Sequence, residues 1–282
     1  MTSMRRSLGF GSLRRWIGSA AGRLRQPGPN SAPAASTTNP YAASWDQYVK
    51  RIKPESGKWP GDEWGDEGFW QLTFRRMFAE QGAKDWRHCV EIGAGSGKYT
   101  QYLLAHSATD IVAFDISAEF LSVLCKRLSD PIAAGRLIPE LLRAQKSSEM
   151  YDAIRQRGWV RQVDAFYSIE AMVHVDLQYL MAYVATAALV LKQGGKLILS
   201  LADATTDAGF RYMVDSIKPY YPRQSEPGGK FEFVSRDLIR SVLGRIGFTV
   251  EFIPELSERD AYFVATLSDL SHASLLERTL LE

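Results

Sequence analysis

Cysteine and histidine are scarce in this chain of 282 residues, which has two cysteines and four histidines. Cys89 and Cys125 fall in a predicted strand and on a predicted helix face, which favours small core residues over a disulfide or a nucleophile. The histidines, at positions 88, 106, 174 and 272, lack the spacing of metal ligands. We therefore expect no metal site and no thiol chemistry.

Long hydrophobic runs are also missing. No stretch approaches the roughly 20 apolar residues that span a membrane, and none has the character of a signal peptide, so we expect a cytoplasmic location. Acidic residues are absent from residues 1–45, which hold six arginines, so that 28 basic residues face 32 acidic ones in the remainder. That remainder is mildly acidic, and no nucleic-acid partner is expected.

Residues 1–40 form a basic leader with two interpretations. In the first, Phe10, Trp16 and Ile17 line one face of an arginine-bearing helix, and residues 1–25 make a weak contact with an anionic membrane surface or target an organelle. In the second, the leader is disordered, because each of its glycines costs about 1 kcal/mol in a helix and residues 27–40 are rich in small polar residues and proline. We favour the disordered leader.

The most informative segment is Val90–Gly97, which reads VEIGAGSG. An apolar run precedes the glycines and helical spacing follows them, so the glycines lie on a strand-to-helix turn. Glycine there permits positive φ and close approach of the backbone to a ligand, and the following helix favours an anionic ligand group. The dinucleotide-binding pattern G-x-G-x-x-G fails because Lys98 occupies the position of its third glycine. The phosphate-loop pattern G-x-x-x-x-G-K-[ST] also fails, because Ile92 stands in place of its first glycine and Tyr99 in place of its final Ser or Thr.

What remains is an acid-x-G-x-G-x-G pattern that resembles the first motif of class I S-adenosylmethionine-dependent methyltransferases of the small-molecule type. A second apolar strand, Asp110–Asp115, ends in an acid 24 residues after Glu91, and Ser117 follows as a helix N-cap. A carboxylate there can accept hydrogen bonds from both hydroxyls of a ribose. The resemblance implies S-adenosylmethionine as the donor, no metal, and these donor-binding residues: Glu91, Gly93, Ala94, Gly95, Gly97, Asp115, Ile116 and Ser168.

The resemblance continues through most of residues 86–268 and implies a Rossmann-like methyltransferase fold. Strands alternate with helices, so we expect an α/β domain with a seven-stranded, mostly parallel sheet, helices on both faces, and the ligand at the carboxyl ends of the central strands. The last strand, 261–267, is expected to be antiparallel. A helix over 177–191 is expected to end in a cationic turn capped by Gly194. Residues 269–282 are predicted to be a C-terminal tail.

Residues 41–85 form an aromatic N-terminal segment that holds tryptophans 45, 59, 64 and 70. We expect Trp70, Phe74, Met77 and Phe78 to pack a helix onto the sheet. The stretch around Trp64 is turn-rich, aromatic and acidic. Such segments often form a lid in proteins that this chain resembles, and a lid over the donor site is the hypothesis for Trp64.

Acceptor chemistry is expected after the fourth strand, where residues 168–176 read SIEAMVHVD. His174 has an unperturbed pKa suited to removing a hydroxyl proton, and Glu170 is placed to assist or to orient the acceptor. The sequence leaves two alternatives open, a His174 that only bonds backbone and a Glu170 that is only structural. The Asn/Asp-Pro-Pro-Tyr/Phe motif of nucleic-acid and protein glutamine methyltransferases is absent, which favours a small-molecule acceptor.

We therefore expect methyl transfer to an oxygen of a sugar, a lipid head group or a secondary metabolite. The alternative is a protein that binds S-adenosylmethionine without catalysis and acts as a partner or scaffold. The insertion 202–233, with Phe210, Tyr212, Tyr220 and Tyr221, is expected either to wall the acceptor pocket or to join the core. The third strand lacks the acid that commonly contacts adenine, which leaves Ala144 and Gln145 as candidates.

Overall fold

The computed structural model describes residues 40–52, 58–143, 146–217 and 230–281. The leader up to residue 39, with the membrane contact predicted for residues 1–25, lies outside these ranges. So do Ala144 and Gln145, the candidates for the adenine contact, and Tyr220 and Tyr221 of the insertion.

One mixed sheet organises the described residues. Its strands are β1 (His88–Ile92), β2 (Asp110–Asp115), β3 (Leu137–Leu141), β4 (Val163–Ser168), β5 (Leu191–Asp203), β6 (Phe233–Val234), β7 (Phe248–Phe252) and β8 (Asp260–Leu267). The strand order is β3-β2-β1-β4-β5-β8-β7, and β6 pairs with β5. Strands β1 to β5 run parallel, whereas β8 is antiparallel to β5 and β7. The seven predicted strands are confirmed, and the two-residue β6 makes the sheet eight-stranded.

The helices cover the sheet and its carboxyl edge. They are α1 (Pro40–Arg51), α2 (Glu67–Met77), α3 (Lys98–His106), α4 (Ala118–Arg127), α5 (Ser129–Ala133), α6 (Glu149–Gln156), α7 (Leu177–Val190), α8 (Asp207–Asp215), α9 (Arg236–Ile246) and α10 (Ala273–Leu281). Ser117 caps α4 as predicted, because its side chain accepts a hydrogen bond from the Phe120 N–H. Helix α10 packs against α7. No helix among the described residues combines the length and apolar character needed to cross a membrane.

Hydrophobic side chains pack on both faces of the sheet, because successive strand residues point to opposite sides. Val90 and Val112 belong to the core on one face, and Cys89 and Ile111 to the core on the other. The second core also contains the four residues predicted to pack a helix onto the sheet, namely Trp70, Phe74, Met77 and Phe78. Cys125 is exposed, contrary to the prediction, because other residues of α4 occupy its buried face.

Candidate active site

A cavity of about 140 Å³ lies at the carboxyl ends of β1, β2 and β4, the edge at which parallel sheets of this kind bind ligands. Its floor is the glycine turn after β1, and its roof is formed by α1 and the segment before α2. The lining residues are Trp45, Pro60, Gly61, Trp64, Glu91, Ile92, Gly93, Ala94, Gly95, Ser96, Lys98, Tyr99, Asp115, Ile116, Phe120, Leu142, Ile169, Glu170, Ala171, Met172, His174 and Tyr183.

The glycine turn has the left-handed backbone that its sequence predicts, with φ of 68° at Gly93, 54° at Gly95 and 85° at Gly97. A Cβ on Gly93 would lie 2.3 Å from the Cβ of Ala171, so a side chain there would push away the loop after β4. A Cβ on Gly97 would lie 2.8 Å from Cδ1 of Leu128. Gly97 therefore packs the turn onto the end of α4 and does not line the cavity.

Glu91 lies at the cavity floor and is 5% exposed. Its Oε2 accepts hydrogen bonds from the Thr100 hydroxyl at 2.6 Å and the Tyr167 hydroxyl at 3.0 Å. Burial raises the pKa of Glu91 to about 8, since it disfavours the charged form more strongly than these two hydroxyls favour it. Both hydroxyls bond the same oxygen and so fix the orientation of the carboxyl group.

Asp115 ends β2 beside the same turn. Its Oδ2 accepts a hydrogen bond from the Gly95 N–H and its Oδ1 accepts one from the Ser117 N–H, both at 2.8 Å. Burial raises the pKa of Asp115 to about 6, although the N–H groups of Ser117 and Gly95 act in the opposite direction. A carboxylate has about four acceptor positions, so this one can still accept bonds from a ligand.

Ile116 and Ser168, which are also predicted to bind the donor, differ in whether they line the cavity. Ile116 lines the cavity directly after Asp115. Ser168 ends β4 and is fully buried, and its hydroxyl donates to the Ile92 carbonyl at 2.7 Å. Ser168 thus ties β4 to β1 beneath the turn and does not line the cavity.

Lys98 and Glu170 form an ion pair at one end of the cavity, with Nζ 3.2 Å from Oε2. The Lys98 ammonium group also donates to the Trp64 carbonyl at 3.0 Å and lies 4.9 Å from the centre of the Trp70 ring. Glu170 adopts a φ of 64°, which is rare outside glycine, and its N–H donates to the Ser200 hydroxyl at 2.7 Å. This strained residue is therefore held from two sides.

His174 lines the cavity from the short 3₁₀ turn Met172–His174 that follows β4. Its Nδ1 lies 2.6 Å from the Lys230 carbonyl oxygen. A carbonyl only accepts, so Nδ1 carries the proton and Nε2 keeps the lone pair of a neutral ring. Burial lowers the pKa of His174, which favours that neutral form.

The roof is built from aromatic rings. The ring centres of Trp45 and Trp64 are 6.0 Å apart, and Tyr48 stacks on Trp64 at 5.0 Å. Trp45 also contacts His174, at 5.4 Å. Helix α1 is fastened by Asp46, whose Oδ1 accepts a hydrogen bond from the Ser117 hydroxyl at 2.6 Å. Trp64 therefore lines the cavity as part of this aromatic roof.

A buried ion pair fastens the roof segment at its other end. Arg127 donates to Asp62 and to the Ser96 hydroxyl, each at 3.0 Å, and both charged side chains are 9% exposed. The pair connects the segment before α2, the end of α4 and the glycine turn.

Sequence reasoning missed several of the lining residues. Lys98 directly follows the glycine motif, and this position in the sequence is the signal that could have identified it as a lining residue. Trp45 and Tyr183 come from α1 and α7, and no local pattern relates them to the glycine turn. Phe210 of the insertion is 54% exposed and does not line the cavity, while Tyr212 packs on Arg259, with its ring centre 4.7 Å from the guanidinium carbon.

Residues 90–199 match a family model described as a methyltransferase domain. This part of the chain is therefore similar to a methyltransferase domain. No curated protein matches the sequence significantly. Among the described residues, no group of three or more His, Cys, Asp or Glu side chains is arranged to hold a metal ion.

Solved structures share the fold of this chain at low sequence identity. DhpI in complex with SAH is 14% identical, with 81% of this chain and 96% of that chain covered and a TM-score of 0.55. The CurJ carbon methyltransferase is 19% identical, with 82% and 68% covered and a TM-score of 0.52. Magnesium protoporphyrin IX methyltransferase (ChlM) from Synechocystis PCC 6803, with bound SAH, is 16% identical, with 71% and 83% covered and a TM-score of 0.51.

The carboxyl groups that line the cavity differ in charge. Glu91, with a pKa of about 8, is mainly protonated at pH 7, and Glu170 is paired with Lys98. Asp115, with a pKa of about 6, is mainly ionised and carries the negative charge that Lys98 does not balance, which suits a ligand with hydroxyl donors or a positive charge. The glycine turn and Asp115 line the same cavity, where a ribose can be held beside the Asp115 carboxylate.

Proposed function

We propose that this methyltransferase transfers the methyl group of S-adenosylmethionine to a hydroxyl oxygen of a small molecule. The observation that carries the proposal is the pairing, in one cavity, of the Asp115 glycine-turn site with a neutral His174 whose lone pair is on Nε2. The first element suits the donor, and the second suits removal of a proton from an alcohol or phenol.

In the proposed donor complex, Asp115 accepts hydrogen bonds from the ribose hydroxyls. Gly93, Ala94 and Gly95 give the backbone close access to the donor, and Ile116 packs beside the adenosine. Glu91 faces the donor from the floor, while Gly97 and Ser168 shape the turn from outside the cavity. We assign the adenine to Leu142 and Tyr183, which also line the cavity, and the amino-acid half to Lys98, because its ammonium group suits the α-carboxylate.

The bound donor supplies an electrophilic methyl group, and the protein aligns the acceptor, excludes water and removes a proton. We assign the proton removal to Nε2 of His174. The Lys230 carbonyl holds the ring in the tautomer that this step requires, and Trp45 packs against the ring from the roof. Glu170 lies in the same loop and orients the acceptor.

The acceptor atom is the part of the proposal that the fold alone does not select. The names of two fold neighbours refer to a carbon methyltransferase and to a magnesium protoporphyrin IX methyltransferase. Oxygen is favoured here by His174, since a hydroxyl loses its proton during transfer and a neutral imidazole accepts it near pH 7. Sugars, phenolic metabolites and lipid head groups are the classes that we propose to test.

The test uses donor labelled in the methyl group, incubated with sets of sugars, phenols and lipid head-group alcohols. We expect label in an acceptor hydroxyl, and a fall in kcat of about 100-fold or more for His174→Asn, which keeps a donor for the Lys230 carbonyl but has no base. Phe210→Ala, an exposed residue outside the cavity, is the matched control. Binding of S-adenosylhomocysteine without transfer to any acceptor would instead indicate a donor-binding scaffold.

A further inference from the structure

The ion pair at the amino-acid end of the cavity is the feature that the proposed function leaves unused. The Lys98 side chain is 10% exposed and that of Glu170 is 27% exposed, so the pair is largely removed from water. The ammonium group has three N–H donors, and the Trp64 carbonyl and Glu170 accept two of them. A group that enters this end of the cavity meets an ammonium with one donor to spare.

A second polar group lies near this ion pair. Tyr99 lines the cavity, and the Lys98 ammonium group is 5.9 Å from the centre of its ring. The Tyr99 hydroxyl is buried with no acceptor at hydrogen-bond distance among the described residues, and the Thr73 hydroxyl is close to it. A buried polar group without a partner costs about 1–3 kcal/mol, so a ligand that supplies an acceptor there gains binding energy. Glu170 is near enough for its charge to raise the pKa of Tyr99, after the larger effect of burial.

The donor brings a matching acceptor to this position. With its ribose on Asp115 and its adenine toward Tyr183, the α-carboxylate of S-adenosylmethionine lies at the Lys98 end. That carboxylate and the Glu170 carboxylate then compete for one ammonium group, and two like charges around it repel each other. Glu170 is the partner more easily displaced, because its left-handed backbone stores strain on the order of 1–3 kcal/mol.

We propose that Lys98 exchanges ion-pair partners when the donor binds. Its ammonium group leaves Glu170 for the α-carboxylate of the donor, and the Tyr99 hydroxyl donates to the same carboxylate. Glu170 is thereby released to the acceptor side of the cavity, so the acceptor site is completed only after the donor is in place. The exchange rests on the proposed donor complex and adds an order of binding to it.

The experiment compares two probes that differ in the amino-acid half. S-adenosylhomocysteine carries the carboxylate, whereas 5′-methylthioadenosine has only the nucleoside and a thioether. Affinities of both are measured by calorimetry for the wild type and for Lys98→Met, Glu170→Gln and Tyr99→Phe. Tyr102→Phe is the matched control for Tyr99→Phe, because it removes a phenolic hydroxyl on the same helix from a residue outside the cavity lining.

The exchange of partners predicts that the Lys98 and Glu170 variants change the affinity for S-adenosylhomocysteine in opposite directions. Lys98→Met weakens S-adenosylhomocysteine by about tenfold or more, Tyr99→Phe weakens it by about threefold, and Glu170→Gln tightens it by about threefold because the competing carboxylate is gone. The affinity for 5′-methylthioadenosine stays within about twofold throughout. Tyr102→Phe changes neither affinity.

Two results would overturn the exchange. Weaker S-adenosylhomocysteine binding by Glu170→Gln would mean that Glu170 holds the donor rather than competing with it. Equal losses for both probes in Lys98→Met would mean that the ion pair is structural. If the wild type binds neither probe, the proposed donor complex itself fails, and this result is distinct from the other two.

Discussion

At the scale of single residues, the two cavity acids are buried but are held by different partners. Glu91 is held by two side-chain hydroxyls, and Asp115 is held by two backbone N–H groups. Burial is the largest influence on the pKa of each group, and it raises the pKa of Glu91 to about 8 and that of Asp115 to about 6. These shifts link stability to pH, because the folded state keeps protons that the unfolded chain has already lost.

Glu91→Gln tests this linkage. Since the pKa of Glu91 rises from 4.5 to about 8 on folding, the wild type loses stability as pH rises through that interval. Glutamine keeps an oxygen acceptor for the two hydroxyls but does not ionise. We expect the free energy of unfolding of the variant, relative to the wild type, to increase by a few kcal/mol between pH 5 and pH 9, as measured by urea denaturation.

The control is Glu251→Gln, which removes an exposed carboxylate on β7. It should leave the pH dependence of unfolding as in the wild type. If the free energy of unfolding of Glu91→Gln depends on pH as that of the control does, the Glu91 carboxyl group is not desolvated and its assigned environment is wrong.

Some site residues could be predicted from the sequence because they belong to a local pattern. The glycine turn, Glu91 and Asp115 follow strands, and the carboxyl ends of parallel strands meet at one edge. The loop after β4 brings His174 and Glu170 there for the same reason. Trp45 and Tyr183 reach the cavity only through tertiary packing of α1 and α7, which periodicity within either helix does not encode.

At the scale of elements, the roof is held to the sheet domain by a few polar contacts. Asp46 of α1 accepts hydrogen bonds from the Ser117 hydroxyl and the Glu119 N–H at the start of α4. A carboxylate is favourable there because free N–H groups and the helix dipole meet at a helix N-terminus. The contact lies next to Asp115, so the position of the roof and the ribose site are connected through Ser117.

Asp46→Ala should loosen this roof. We expect a stability loss of about 1 kcal/mol, typical of a lost helix cap, and faster dissociation of S-adenosylhomocysteine in stopped-flow measurements of tryptophan fluorescence. Asp46→Asn keeps an oxygen acceptor and should fall between the alanine variant and the wild type. Lys50→Ala, which removes an exposed ion pair with Glu119, should leave dissociation unchanged. Equal dissociation rates in all four proteins would contradict a roof held by Asp46.

The end of α7 shows why a local signal can mislead. The cationic residues and glycines at 192–195 predict a helix end with a glycine cap, yet α7 ends at Val190 and β5 begins at Leu191. Arg161, from the loop before β4, donates to the carbonyls of Ala188 and Leu191. A distant side chain thus satisfies carbonyls at the helix end, and Gly194 is left within β5.

At the scale of the whole molecule, the alternation of strands and helices is sufficient to predict the parallel sheet and its antiparallel β8. The central strands β1, β2 and β4 are almost wholly buried, and burial on both faces is what a doubly covered sheet requires. The strand β6 could not be predicted, because two residues are too few to show the alternation of apolar and polar side chains that marks a strand. The assembly of the roof could not be predicted from the sequence, because α1 and the segment before α2 bury their aromatic rings against each other rather than against the sheet.

Removing residues 1–39 should leave donor binding intact. Among the residues that the structure describes, those that line the cavity fall between 45 and 183, and α1 begins at Pro40. We expect the truncated chain to bind S-adenosylhomocysteine within about twofold of the full chain in calorimetry. A drop of tenfold or more would assign the leader a part in the donor site.

The most direct test of the central claim is calorimetric titration of S-adenosylhomocysteine into the wild type and Asp115→Ala. We expect measurable affinity for the wild type and a loss of at least about 1 kcal/mol in the variant, because two buried ribose hydroxyls would lose a charged acceptor. Equal affinities for the two proteins would contradict the account, and so would a wild type that does not bind.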